Sequence, residues 1–525
     1  MSAGTALWRQ TELETQDRSS RERSQPFGGH ALWYLLLYSI FILAGTAVIA
    51  SRRHLWWDEI QTMLIATLPN MKAIWNALLS GADWQSPAVF LPLHWLSNVF
   101  GASPLVGRLV GIVPYWLATL VLYFTVARRT KPVYGFIAML FPSLTGAFVY
   151  AFEMRPYAFV LLFTACTFLS WQLTKEYRFR RFALPALTIS LGTLVCFHYN
   201  ACLVALPLLV GEAVIVFRRR KVDYPVLLSI ACAAFALLPL VPDIRASRHF
   251  SATYHMAHNY STFLELYMGL FSRAIVFGFV LCAAFFVWRA FLKREVVDLD
   301  LDTRGLPYWE VAAAASFLPL PIVYFVLSMY TGALHYRHVL DTVIGASVLL
   351  AYLCYAWRRP LAGLPNILLV LLLGNLLVTV SGRLRSPDEY SWGTYARYSD
   401  LFNGGVPFLQ QSQEPIVMGD GAYLLAYEYG SPDLAQRSFY VMGNPQWRNA
   451  APDAVFKRNF FHAFTGMLPP GRMHAPEYDA FIREHHHFLL YDPDPWLVKR
   501  LIADGQEVKA RALLEVGPLY SVTIK

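Results

Sequence analysis

Charge is what this chain has least of. Only 15% of its 525 residues are Asp, Glu, Lys or Arg, against 56% hydrophobic residues and a mean hydropathy of +0.39. Soluble proteins of this length carry about a quarter of charged residues, so a water-bounded globule is excluded and the chain reads as polytopic. Cysteine is scarce too. All six (Cys166, Cys196, Cys202, Cys232, Cys282, Cys354) fall in apolar runs and the polar C-terminal region has none, which excludes a framework of structural disulfides. Acids are the rarer sign, 35 against 44 Lys and Arg. No internal repeat or low-complexity segment stands out. Ser51-Arg52-Arg53 after the first apolar run is a poor cleavage site, so that run is read as a span and not as a removed signal.

What is present is a series of apolar stretches near 31–50, 108–127, 133–150, 157–174, 182–197, 200–217, 224–242, 265–288, 309–330, 339–356 and 363–381. Five of the turns between them hold sixteen Lys or Arg: Arg128, Arg129, Lys131; Lys175, Arg178, Arg180, Arg181; Arg218, Arg219, Arg220, Lys221; Arg289, Lys293, Arg294; Arg358, Arg359. The intervening turns hold only Arg155, Arg245, Arg248 and Arg337. Basic loops stay in the cytoplasm, so the surplus charge is a topology signal and not a nucleic-acid footprint.

The expected architecture is a polytopic α-helical membrane protein with about eleven transmembrane helices. A cytoplasmic tail of residues 1–30 precedes a membrane unit over 31–382, and a small extracytoplasmic α/β domain follows over 383–525. The first external loop, 51–107, carries two or three short helices. Within it the run 87–100 is too short to span and reads as interfacial, and Trp56, Trp57, Trp75, Trp84 and Trp95 suit interface depth. Arg52 and Arg53 oppose this scheme locally and are outweighed by the five basic turns. In the C-terminal region 415–418 and 488–491 read as strands. Pro495 and Gly505 bracket a helix, and two strands are expected after Gln506.

On the face opposite the basic turns lie Asp58, Glu59, Glu153, Arg155, His198, Arg245, Arg248, His249, His255, His258, His335, Arg337 and His338. Ionisable groups at a bilayer boundary are costly unless paired or used. In Leu55-Trp56-Trp57-Asp58-Glu59, either carboxylate could take a proton from a hydroxyl near neutral pH, and the pair also suits a helix N-terminus. Glu153-Met154-Arg155-Pro156-Tyr157 opens a helix with proline in its first turn, and its charges also read as a local pair. His198-Tyr199 reads equally as an interfacial aromatic pair. Arg337 either snorkels or grips a phosphate through paired donors, and Arg245 and Arg248 are further cationic candidates. His485-His486-His487 alternates faces beside a strand and is no metal tract. Cys196 and Cys202 flank His198 without a metal-ligand pattern, and no metal site is assigned. Glu212 is expected to pair with the basic end of its own helix, at Arg218.

Four places, in order, carry a resemblance: Trp57-Asp58-Glu59; Ser86-Pro87 through His94-Trp95 to Gly101, Ser103 and Arg108; Glu153-Met154-Arg155-Pro156-Tyr157-Ala158; and Trp496-Leu497, Gly505, Leu519-Tyr520. On these the chain resembles the glycosyltransferase C superfamily, integral-membrane enzymes that use polyprenyl-phosphate sugars. It most resembles the bacterial branch related to protein O-mannosyltransferases and lipid A aminoarabinose transferases. The resemblance implies a catalytic role for Asp58, with Glu59 in the same motif, and a cavity bordered by Glu153 and Arg155. Tyr157, His198, Arg245, Arg248 and Arg337 complete the substrate-binding candidates. The chain departs from the family pattern at Gln85-Ser86-Pro87, where relatives show His-Pro-Pro. The implied activity moves a sugar from a polyprenyl-phosphate donor to a hydroxyl of a lipid, glycan or protein, with inversion, at the outer face of the inner membrane. The lipid-phosphate sugar is a co-substrate, no cofactor is assigned, and a divalent metal is left open. A transporter or flippase of lipid-linked sugars is the competing class, and would show repeated halves with sites at mid-bilayer. A receptor or scaffold would explain the C-terminal region alone.

Overall fold

Each of the eleven apolar stretches is helical along most of its length in the computed structural model. It describes residues 30–251, 259–292, 305–331, 334–358, 363–388, 395–402, 409, 412–444, 454–467, 473–514 and 517–525. Among the described residues eight helices are long and apolar enough to cross a membrane, or up to ten if each of two bent pairs makes one span. The protein is a multi-pass membrane protein. The expected eleven also includes Asp341–Ala356, whose 16 residues fall short of the ~20 that cross a hydrocarbon core unaided. The stretch near 133–150 is not the continuous helix expected. Pro132–Leu144 and Gly146–Phe152 meet at 83°, because Pro142 removes a backbone donor and the chain tightens into a 3₁₀ turn, Phe141–Leu144.

Packing follows the apolar periodicity. In Leu364–Arg385 the residues Leu368, Leu372, Leu376 and Val380 recur every fourth position and are buried, while Ile367, Val370 and Val378 are exposed. One stripe meets protein and the rest is free to face lipid. Pro104–Ala127 and Tyr157–Thr174 form the centre and are mostly buried. A Cβ at Gly111 would lie 2.5 Å from the Glu153 carbonyl, so this glycine lets the turn before Tyr157 rest directly on the central helix.

Helix alternation gathers the basic turns at 128–131, 175–181 and 218–221 at one end. There Glu310 accepts from Arg129 at 2.6 Å, Gln172 at 2.8 Å and Tyr352 at 2.9 Å, and Arg180 grips Asp223 through two bonds at 2.5 and 3.0 Å. Glu212 does not pair with Arg218. It takes Trp171 Nε1 at 2.6 Å and the Lys175 ammonium, while Arg218 lies over the Tyr308 ring, because the neighbouring turn reaches the acid where its own helix terminus points away.

At the other end, the segment between the first two long helices folds into Trp57–Ala66, Met71–Leu79 and Phe90–Phe100. The last buries Phe90 and Leu93 and exposes Leu91, Trp95 and Phe100, as an interfacial helix does. Of the tryptophans placed at interface depth, Trp56 is buried and Trp57 packs against Gly421, so these two are anchored to protein.

The C-terminal sheet has strands β1 (Ile416–Met418), β2 (Ser438–Phe439), β3 (His487–Tyr491), β4 (Glu507–Leu513) and β5 (Pro518–Thr523) in the order β2-β1-β3-β5-β4. The β1 strand is parallel to β2 and β3, and β5 runs antiparallel to β3 and β4. Side chains alternate between two cores. Ile416, Met418, Leu489 and Tyr491 join a cluster with Leu55, Ile60 and Tyr423, whereas Val417 and Leu490 pack on Trp496 and Leu501. The first core is shared with the segment that carries Asp58, which ties the sheet region to it.

Candidate active site

Asp58 and Glu59 occupy the first turn of Trp57–Ala66 behind an extended Trp56. Adjacent helical residues are turned by about 100°, so the two carboxyls meet different surroundings. Glu59 is fully buried. It accepts Arg108 Nε at 2.9 Å, Arg108 Nη2 at 2.6 Å and the Met154 N–H at 3.0 Å. The other Arg108 donors reach the carbonyls of Ala50 and Arg53, each at 2.6 Å, and of His54 at 3.0 Å. Burial pushes the Glu59 carboxyl up, but Arg108 and Arg53 outweigh it and hold the group below the usual glutamate range.

Asp58 keeps 18% of its side chain accessible and stands between two guanidiniums, Arg155 Nη2 at 3.2 Å and Arg337 Nη1 at 3.5 Å. Arg155 also donates to Thr62 Oγ1 at 3.2 Å and lies 4.0 Å from Asp83. Asp83 accepts the N–H groups of Trp84 (2.6 Å) and Gln85 (3.1 Å) and the Gln85 side-chain amide at 2.6 Å, and that amide donates to Thr62 at 3.0 Å. Burial raises the Asp83 carboxyl, and Arg155 offsets this only in part.

Arg337 lies over the Tyr157 ring, 5.8 Å from its centroid, and its backbone N–H donates to His335 Nδ1 at 3.2 Å. The His198 ring is 5.9 Å from Tyr157 and 5.1 Å from His338. Burial first, then the Arg337 charge, lowers His198 to about 4 and His335 to about 3, so both are neutral near pH 7.

Asp58, Arg155, Tyr157, His198 and Arg337 are thus brought together from four turns. Glu153 is not among them. It pairs with Arg53 at 3.1 Å, both buried, and burial raises its carboxyl against the pull of Arg53. This pair accounts for an arginine on the acid-bearing side, since a paired buried cation is not a free loop charge. Arg245 and Arg248 are exposed on the helix Val241–Ser251. His255 and His258 lie outside the described residues, as does the His249 side chain. Sequence reasoning passed over Asp83, although it is the third and last acid of 51–107, and Asp243, which accepts the Tyr199 O–H at 2.5 Å. Among the described residues no group of three or more His, Cys, Asp or Glu is placed to hold a metal ion.

No family model matches the chain, and no curated protein matches it in sequence. Solved structures do. A crystal structure of ArnT from Cupriavidus metallidurans in the apo state is similar with a TM-score of 0.58 at 12% identity, over 94% of this chain and 98% of that one. The same protein bound to undecaprenyl phosphate is similar with a TM-score of 0.52 at 13% identity, over 93% and 98%. With a likeness that runs through nearly the whole of both chains, the protein has the fold of ArnT.

Proposed function

We propose that the protein is a membrane glycosyltransferase that moves a sugar from a polyprenyl-phosphate donor to a hydroxyl acceptor at the outer face of the plasma membrane. The observation that carries this reading is an accessible carboxylate, Asp58, set between Arg155 and Arg337. The likeness to a protein captured with undecaprenyl phosphate supports a lipid-phosphate donor.

Asp58 is the general base. The acceptor oxygen attacks C1 of the sugar, its proton passes to an Asp58 carboxylate oxygen, and the C1–O bond breaks with its electron pair going to the phosphate. Arg155 and Arg337 receive the charge that develops on that phosphate, because guanidiniums offer paired donors matched to its oxygens. In the free protein the same two arginines hold Asp58. A phosphate that draws them away frees the carboxylate, so donor binding and base activation are coupled. Attack from the side opposite the phosphate inverts the anomeric centre. Glu59, without accessible surface and with both oxygens engaged, holds the loop that presents Asp58. Acceptors are lipids, glycans or proteins with a free hydroxyl, and the C-terminal region, 383–525, stands on the same outer side.

The test is Asp58→Asn, which keeps shape and removes basicity. Sugar transfer from a purified polyprenyl-phosphate donor should be abolished, with expression and donor binding intact; a variant that keeps most of its activity would sink this assignment.

A further inference from the structure

We propose that His338 is a further donor-binding residue, a neutral imidazole held by Tyr324 in the tautomer that offers Nε2–H to the phosphate beside Arg337. This rests on the polyprenyl-phosphate reading above and adds to it a residue and a protonation state.

Tyr324 is fully buried, and its hydroxyl lies 2.5 Å from His338 Nδ1. A buried O–H without an acceptor is costly, and with Nδ1 at this distance the phenol donates to it and the imidazole carries its proton on Nε2. Among the described residues this is the one hydrogen bond of the His338 ring, which is half-buried and leaves its second nitrogen for a ligand.

The ring belongs to the same site as the arginines. It stands 5.1 Å from His198 and 6.3 Å from His335, and His198 packs by Tyr157, the ring beneath Arg337. Burial, with His198, Arg337, His335 and Arg155 nearby, holds the imidazole well below its ordinary pKa, so it stays neutral. Neutrality suits the setting. Two guanidiniums already supply the charge, and a third cation would repel them. Breaking the C1–O bond creates one more terminal phosphate oxygen, and a fixed neutral N–H can meet it without being deprotonated. His338 keeps its proton throughout, so no transfer step is added to the reaction.

Binding of polyprenyl phosphate and of the matching polyprenol to the purified full chain in nanodiscs separates the cases. His338→Ala should weaken the phosphate by about tenfold or more, the effect of one hydrogen bond to a charged group, and leave the alcohol unchanged. His338→Gln places an amide nitrogen near the Nε2 position and should restore most of the affinity, whereas His338→Asn reaches only the Nδ1 position and should not. Tyr324→Phe should give an intermediate loss, with a nitrogen NMR shift of His338 toward the other tautomer. Unchanged phosphate affinity in His338→Ala, or equal affinities in the Gln and Asn variants, overturns the inference. A wild-type protein that does not prefer the phosphate to the alcohol overturns the donor reading and this inference together. Asp58→Asn that binds phosphate normally but transfers nothing, beside an indifferent His338→Ala, overturns this one alone.

Discussion

Asp58 and Glu59 are neighbours in sequence and differ in setting by a turn of about 100°, and their substitutions should separate accordingly. Glu59→Gln leaves Arg108 buried without a countercharge, a loss of about 3–5 kcal/mol for a broken buried pair. The pH sign is fixed by the depressed Glu59 carboxyl. Its contribution is complete above the ordinary value near ~4.3 and is lost as pH falls through the folded value. Acid unfolding followed by tryptophan fluorescence should therefore begin at higher pH in the destabilised Glu59→Gln protein, with a shallower acid limb than in wild type. Asp58→Asn should cost less than Glu59→Gln, because Asp58 is partly accessible and Arg155 keeps Asp83 beside it. Arg337→Lys keeps the charge and loses the fork, so it should raise the donor KM moderately, and Arg337→Ala severely, with acceptor dependence nearly unaltered. Steady-state kinetics with each substrate varied alone decide this; a normal donor KM in Arg337→Ala would return the residue to a snorkelling role. The motif at 57–59 was legible in the sequence. Which acid stays accessible was not, because that depends on Arg108 arriving from a helix 49 positions on.

Between elements, the residues that lead into Asp58 are held by the C-terminal region. The Leu55 N–H donates to the Tyr429 hydroxyl at 2.6 Å, and His54 stacks on Tyr395 at 3.5 Å between ring centroids. The His54 backbone N–H and ring each bond Asp388 at 2.8 Å. A Cβ at Gly421 would come within 2.6 Å of the Trp57 ring, so the helix Asp420–Tyr429 begins directly against the residue before Asp58. Gly421→Val should push Trp57 aside at a cost of about 1–3 kcal/mol for overpacking. We expect kcat to fall at least about tenfold with donor binding kept, and Gly421→Ala to lie between; unchanged turnover in the valine variant would show that this contact does not position the base. Strands at 416–418 and 487–491 were readable from their apolar runs, and the helix from Pro495 from its start and stop signals. The two-residue β2 was not, since so short a run carries no period, and the docking of Asp420–Tyr429 was not, since a glycine reports nothing of what lies above it.

For the whole molecule, orientation is the open physical quantity and the basic turns are its signal. Single cysteines at the exposed positions Asn98 and Ser431, in a background without the six native thiols, should label from outside the cell, and one at Tyr177 only after permeabilisation. Outside labelling at Tyr177 would put the Asp58 cluster on the cytoplasmic side. By itself the sequence determined the polytopic class and the places of the apolar helices, and it singled out the unequal spread of basic residues between turns and the acid at 58, because hydropathy and charge act locally along the chain. Only the tertiary structure decided that Pro132–Leu144 breaks from Gly146–Phe152, that Glu59 and Glu153 are taken up by Arg108 and Arg53, that Asp83 lies beside Arg155, and that Tyr324 bonds His338. The reason is that a buried charge takes whatever partner packing brings within reach, and those partners lie tens to hundreds of residues away in the chain.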